Sequence, residues 1–168
     1  MSSKKYQTDN NQKKPLYVRN LETFYGPPNQ EAFGSVVFYE NMISGDLKQV
    51  SLEKYRYFVG KLWNRYGEDA WMGMWKEVYR RKQNIKNDIV NELKSIIDRD
   101  ALGSVSIFLD GIENPEDARK ALAVTFDDPA VTELTVHNIG DGAAMSGLLI
   151  SAFRKKTGDA TFVIFLMD

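Results

Sequence analysis

The sequence predicts an α+β protein in which a long helical middle section is followed by a small, mostly antiparallel sheet with the order β-α-β-β-β. Two observations support this class. Residues 68–98 place apolar side chains at helical spacing with no interrupting proline, and residues 131–167 contain alternating or wholly apolar runs typical of strands. Of the 168 residues, 43% are hydrophobic and 27% are charged, which excludes a fibrous or wholly disordered chain.

The amino-terminal part is predicted to be a tail followed by short strands. Residues 1–15 are basic and nearly free of apolar side chains, so burial cannot offset the entropy of ordering and we expect a flexible basic tail. Leu16–Phe24 is predicted to form a short strand. Gly34–Met42 contains the run Val-Val-Phe-Tyr and is predicted to form a second strand.

A helical hairpin is predicted to complete residues 16–100. Its first helix would begin at Ser51 as N-cap and end at Gly67. Its second helix, over 68–98, carries a stripe close to a heptad repeat and would be about 45 Å long. That length exceeds the width of a compact domain of this size, so we expect the helix to pack on another subunit or to break near Lys82–Asn84. The predicted interface consists of Trp71, Trp75, Val78, Ile85, Ile89 and Leu93.

Residues 101–168 are predicted to form an α+β sheet region that folds as one unit with the helices. Ser104–Leu109 is predicted to be a strand, and Asn114-Pro115 begins a helix with Pro at its first position. Residues 131–139 and 160–167 are predicted strands. Residues 143–156 fit a helix in a parallel βαβαβ unit or a strand in a hairpin that turns at Gly158, and similar flanking apolar runs favour the hairpin.

Composition excludes several kinds of chemistry. The chain has no cysteine, which excludes disulfides, thiolate catalysis and Cys-ligated metal, and a single histidine, which excludes a multi-His metal site. The sequence predicts neither a metal nor a cofactor. It also lacks an apolar signal-peptide core and a run of about 18 apolar residues, so we expect a cytoplasmic protein without membrane contact.

The net charge of -1 conceals two oppositely charged halves. Residues 1–84 contain 14 Lys and Arg against nine Asp and Glu, and residues 85–168 contain eight against 14. Residues 76–86 form a basic stretch in which Trp75 and Tyr79 are interleaved, a pattern that suits contact with the phosphates of nucleic acid. A solvated helix face, or a face that docks on the acidic half, is the simpler interpretation. The candidate phosphate contacts are Lys76, Arg80, Arg81, Lys82 and Lys86.

A loop of small residues over 140–147 follows a predicted strand. Such residues admit a ligand to backbone N–H groups, but the spacing matches neither a dinucleotide fold nor a P-loop, and a glycine turn is the simpler interpretation. The candidate ligand loop consists of Gly140, Gly142, Ser146 and Gly147. His137, Asp141 and Asp110 are the weak candidates for an acid–base group.

The absence of a clear catalytic constellation favours a non-enzymatic protein. We expect a protein-binding or regulatory protein that self-associates through the 68–98 helix, with itself or another protein as partner. One alternative is a nucleic-acid-associated protein that uses the basic tail and the 76–86 stretch. A second alternative is a small enzyme or ligand binder that uses the 140–147 loop.

Overall fold

The computed structural model describes residues 14–42 and 46–168. The helices in these ranges are α1 (Leu16–Tyr25), α2 (Leu47–Val59), α3 (Lys61–Tyr66), α4 (Glu68–Met72), α5 (Ile89–Lys94), α6 (Arg99–Asp110) and α7 (Pro115–Phe126). The strands are β1 (Gly34–Asn41), β2 (Lys76–Arg80), β3 (Glu133–Gly140), β4 (Ser146–Arg154) and β5 (Asp159–Met167).

All five strands form one antiparallel sheet with the order β1-β5-β4-β3-β2. The carboxyl-terminal strands β3, β4 and β5 are a meander, in which His137 faces Leu149 across the β3–β4 pair. At one edge β1 pairs with β5 along its whole length. At the other edge the short strand β2 pairs with β3, and a bulge interrupts the register between Glu77 and Tyr79.

Helices cover both faces of the sheet. The first core packs α1, α5, α6 and α7 on one face and includes Leu21, Phe108 and Leu122. The second core packs α2, α3 and α4 on the other face and includes Phe58 and Trp71. An antiparallel sheet commonly leaves one face in water, but here the side chains of β3, β4 and β5 that point to either face are mostly apolar and buried.

The α+β class is confirmed, and so is the hairpin interpretation of residues 143–156. β4 and β5 pair antiparallel from Ser146 opposite Met167 to Arg154 opposite Asp159. The predicted strand at Gly34–Met42 and the helix that begins at Asn114-Pro115 are also present. Flanking apolar runs of equal length therefore predicted this hairpin correctly.

The predicted long helix over 68–98 is wrong. The chain forms the short helix α4, the edge strand β2, an irregular loop and the short helix α5. Trp75, Val78 and Tyr79 are residue types that favour strands, and pairing with β3 satisfies the backbone of this segment. The apolar residues over 68–98 resemble a helical stripe because their side chains, although they lie on different elements, are buried in two different cores. The predicted β-α-β-β-β order also changes, since Ser104–Leu109 lies inside α6 and residues 101–168 contain two helices followed by three strands.

Two predicted strands are helices. In α6 the Asp98 side chain accepts a hydrogen bond from the Ala101 N–H and caps the helix. Val105, Ile107 and Leu109 fit a strand alternation, but only the first and last are buried. Leu16–Phe24 lies within α1, whose buried side chains follow at steps of three and four: Val18, Leu21 and Tyr25.

The amino-terminal predictions need two further corrections. Residues 1–13 of the predicted tail lie outside the described residues, but Lys14 is buried and forms an ion pair with Glu22. The helix predicted to begin at Ser51 begins at Leu47, where the Asp46 side chain accepts from the Lys48 N–H. It ends at Gly60 rather than Gly67.

Candidate functional site

Two of the five candidate phosphate contacts, both of them exposed, are neutralised by carboxylates within the fold. The Lys76 ammonium lies 2.8 Å from an Asp98 carboxylate oxygen. The Arg80 guanidinium pairs with Glu77 at 2.8 Å and with Glu133 at 3.3 Å. These two side chains therefore hold β2 against α6 and β3.

Arg81 forms a buried ion pair with Glu92. Its Nε and Nη2 donate to the two Glu92 carboxylate oxygens at 2.8 and 2.7 Å, and the Tyr79 hydroxyl donates to the same carboxylate at 2.6 Å. Burial opposes the charge of Glu92, but the hydrogen bonds from Arg81 and Tyr79 prevail and lower its pKa. Arg81 also donates to the Phe126 carbonyl at 2.8 Å, so this pair ties the end of β2 to α5 and α7.

The remaining two candidates, Lys82 and Lys86, are exposed. Neither ammonium has an ion pair or hydrogen bond with another residue in 14–42 or 46–168. Both line a cavity of about 740 Å³ between residues 81–87 and residues 127–132. We call this cavity the basic groove. Ile85 lines it and is 48% exposed.

The wall of the basic groove is fixed by polar contacts to the end of α7. The Asn87 side-chain amide donates to the Asp127 and Asp128 carbonyls at 3.4 and 3.3 Å. The Asp127 carboxylate accepts from the Ile89 N–H at 2.7 Å, and burial raises its pKa despite that bond. The Asp127 carboxylate therefore faces the start of α5 and the Arg81 guanidinium, whose Nη2 lies 3.8 Å from Asp127 Oδ1.

A second cavity, of about 420 Å³, adjoins the basic groove and shares Arg81, Gln83 and Thr132 with it. Lys155, in the β4–β5 turn, lines this extension and is exposed. Sequence analysis missed Lys155 because it is distant along the chain. The pairing of β3 with β4 brings it beside Thr132, whose hydroxyl accepts from the Lys155 N–H at 3.1 Å.

His137 does not reach solvent. It is 1% exposed, and its ring stacks on Trp75 at a centroid distance of 4.2 Å and an interplanar angle of 17°. Burial lowers its pKa from 6.5 to about 4, so the imidazole is neutral at pH 7. A base so enclosed has no access to a substrate in this conformation.

The glycine loop is a β-hairpin turn. The Asp141 carboxylate accepts from the Ala143 and Met145 N–H groups at 2.9 Å each, so it is occupied in shaping the turn. Gly140 has a φ of 144°, and a Cβ at Gly147 would come within 1.7 Å of the Phe165 carbonyl oxygen. Turn geometry and close strand packing therefore account for this loop, in which Gly142 has a positive φ and Ser146 begins β4.

The three weak acid–base candidates do not come together. Asp110 ends α6, which packs in the first core, and it pairs with Arg119 on α7. His137 lies between Thr135 and Ile139 on the opposite face of the sheet. Within the described ranges, no group of three or more His, Asp or Glu side chains is arranged to hold a metal ion.

The predicted interface is also dispersed. Trp71 lies in the second core, whereas Ile89 and Leu93 lie in the first. Trp75 and Val78 are partly buried against the two cores, so only Ile85 is exposed. No described helix combines the length and apolar character needed to cross a bilayer.

Comparison of the chain with protein-family models, with curated proteins and with solved structures gave no match.

Proposed function

We propose that this is a non-enzymatic binding protein whose basic groove takes a phosphate-bearing nucleotide, either free or within a nucleic-acid strand. The observation that carries the proposal is the pair Lys82 and Lys86, whose charges have no partner among the described residues and lie beside a cavity. The other candidate cations, Lys76, Arg80 and Arg81, are occupied within the fold.

The chemistry of the groove suits a nucleotide better than an inorganic anion. Lys82 and Lys86 supply charge for a phosphate, and Lys155 extends that charge along the adjoining cavity. Ile85 and Pro129 supply apolar surface for a base or sugar, and the Gln83 amide offers both a donor and an acceptor. A volume of about 740 Å³ lies within the usual range for small-molecule sites.

The other expected functions have less support. Self-association was expected through one face of a long helix, and the residues of that face, except Ile85, contribute to two separate cores. The 140–147 loop and His137 provide no open acid–base group. We retain a cytoplasmic setting as part of the proposal, because a cysteine-free chain suits a reducing compartment.

Fluorescence anisotropy tests the proposal with two labelled probes, ATP and a single-stranded oligonucleotide. The groove variant is Lys82→Ser with Lys86→Ser. The control is Lys61→Ser with Lys120→Ser, which removes the same charge from exposed positions outside the groove.

We expect the groove variant, and not the control, to weaken binding. For the oligonucleotide, loss of two phosphate contacts should reduce the slope of log K against log salt by about 1.4. Binding of ATP alone identifies a free nucleotide as the ligand, and binding of the oligonucleotide alone identifies a strand. Equal loss in the groove variant and the control, or no binding of either probe at low salt, would refute the proposal.

A further inference from the structure

His137 is a buried polar group without a hydrogen-bond partner in the part of the chain that the structure describes. Neither Nδ1 nor Nε2 has one among the described residues, although the side chain is only 1% exposed. Thr135, two residues earlier on the same face of β3, has an equally unpartnered hydroxyl. Most buried polar side chains in folded proteins are hydrogen-bonded, so an imidazole with two orphaned nitrogens requires an explanation.

The cover over His137 is an aromatic stack. The Trp75 ring stacks on the imidazole at a centroid distance of 4.2 Å, and the Tyr55 ring of α2 stacks on Trp75 at 5.6 Å. Leu149 of β4 is the neighbour of His137 within the sheet. None of these side chains provides an oxygen that accepts a hydrogen bond from the imidazole.

Trp75 directly precedes β2, which is an edge strand of the sheet. β2 has five residues, pairs on one side only and contains a bulge. The five residues Lys76 to Arg80 are all exposed or partly exposed. Side-chain pairs, of which Arg81 with Glu92 is the buried one, supply the rest of its attachment, so its backbone can separate from β3 without disturbing the other strand pairs.

Burial is the largest influence on His137, and it disfavours the imidazolium. Among the neighbouring charges, Glu77 of β2 attracts a proton, whereas Lys48 of α2 and Arg80 of β2 repel one. A proton on His137 would therefore be accommodated far better after β2 and Trp75 move away and water enters.

We propose that His137 is an acid-sensitive latch, whose protonation releases Trp75 and β2 from the edge of β3. The inference rests on the enclosed geometry of His137 and on the position of β2 at an edge of the sheet, and it goes beyond the proposed nucleotide binding.

Hydrogen exchange measured by mass spectrometry on the full chain tests the latch between pH 7.5 and pH 5. His137→Phe keeps a ring under Trp75 but cannot be protonated, and His137→Gln serves if the first variant does not fold. At each pH the intrinsic exchange rate of the β2 amides is the same for both proteins. The ratio of the exchange rates measured in the wild type and the variant therefore reports the difference in opening of β2.

With an ordinary pKa of 6.5 in the open form and about 4 in the closed form, opening of β2 should increase about 30-fold by pH 5. The variant should show no such increase, and β4 and β5 should stay protected in both proteins. Equal exchange of β2 in the wild type and the variant would overturn the proposal. So would loss of protection by every strand together, because that result indicates global unfolding.

Nuclear magnetic resonance gives an independent readout, since the chain contains a single histidine. We expect the ring resonances to remain those of neutral imidazole at pH 6, with a second, protonated signal appearing as β2 opens. Titration of the closed form near 6.5, with β2 still protected, would refute the latch.

Discussion

Replacement of Glu92 by Gln is expected to destabilise the protein by about 3–5 kcal/mol, because it removes the closest counter-charge of the buried Arg81 guanidinium and leaves, among the described residues, only Asp127, 3.8 Å away. The two side chains are 6% and 7% exposed, so water cannot replace the lost interaction. The Glu92 carboxylate also accepts from the Tyr79 hydroxyl and from the Asp88 N–H. An amide presents its own N–H groups to some of these donors, which adds to the cost.

The neighbouring arginine provides a matched control. Arg80 and Glu133 are 53% and 41% exposed, and their closest atoms are 3.3 Å apart. Glu133→Gln removes the same charge from this exposed pair, and the expected cost is at most about 1 kcal/mol. In both variants the arginine keeps a second carboxylate, Glu77 for Arg80 and Asp127 for Arg81, so the main difference between the two pairs is their burial.

Urea unfolding followed by tryptophan fluorescence measures both free energies of unfolding. Because the pKa of Glu92 is lowered in the folded state, its stabilising contribution is complete above its usual value of 4.5. That contribution is lost as the pH falls through the folded pKa. Glu92→Gln should therefore show a weaker loss of stability in acid than the wild type.

A cost below about 1 kcal/mol for Glu92→Gln, or a cost equal to that of Glu133→Gln, would refute this account of the buried pair. The double variant Arg81→Met with Glu92→Leu provides a further check. Removal of both charges should restore much of the stability that the single substitution loses. Failure of the double variant to recover any stability would show that packing, rather than the unpaired charge, is responsible.

Two further matched pairs test the packing of the fold by the same unfolding measurement. Gly147→Ala should prevent proper pairing of β4 with β5, because the added Cβ would overlap the Phe165 carbonyl. Gly103→Ala in α6 should instead stabilise the protein by about 0.5–1 kcal/mol, because nothing lies within 4 Å of the added Cβ. Tyr55→Phe should cost about 1–3 kcal/mol because its hydroxyl donates to the Trp71 carbonyl and accepts from the Gly140 N–H. Tyr25→Phe should be neutral or stabilising, because the buried Tyr25 hydroxyl has no hydrogen-bond partner among the described residues. A destabilising Gly103→Ala, or equal costs for the two tyrosines, would contradict this account.

The sequence predicted elements whose signals are local. Asn114-Pro115 is a strong helix start, and the run over 160–167 is too apolar to be anything but buried. The β4–β5 hairpin was also recognisable, because two similar runs flank a turn with Gly158 in the left-handed region.

Prediction from the sequence failed where pairing or packing with distant residues determines the secondary structure. Residues 76–80 are compatible with a helix by spacing alone, and only the free edge of β3 explains why they form a strand. Likewise, Val105 and Leu109 fit both an alternating strand and a helix face, and the Asp98 cap and packing in the first core select the helix.

The basic groove was predictable only in part. Lys82 and Lys86 were named from the charge pattern, but so were Lys76, Arg80 and Arg81, which are occupied by carboxylates. Their partners lie up to 53 positions away along the chain, as with Glu133 and Arg80. Linear charge patterns cannot show which lysines are left without a counter-charge.

The order of strands in the sheet has a consequence for biosynthesis. β1 is synthesised early, but it pairs with β5. Gly34 therefore cannot pair with Leu166 until translation has reached that residue. During translation β1 is therefore an apolar segment without a strand to pair with, and such segments are prone to aggregate. We expect ribosome-bound chains that end before residue 159 to expose β1 to protease, and chains that include β5 to protect it. The carboxyl-terminal strand thus decides when the nascent chain can complete its sheet.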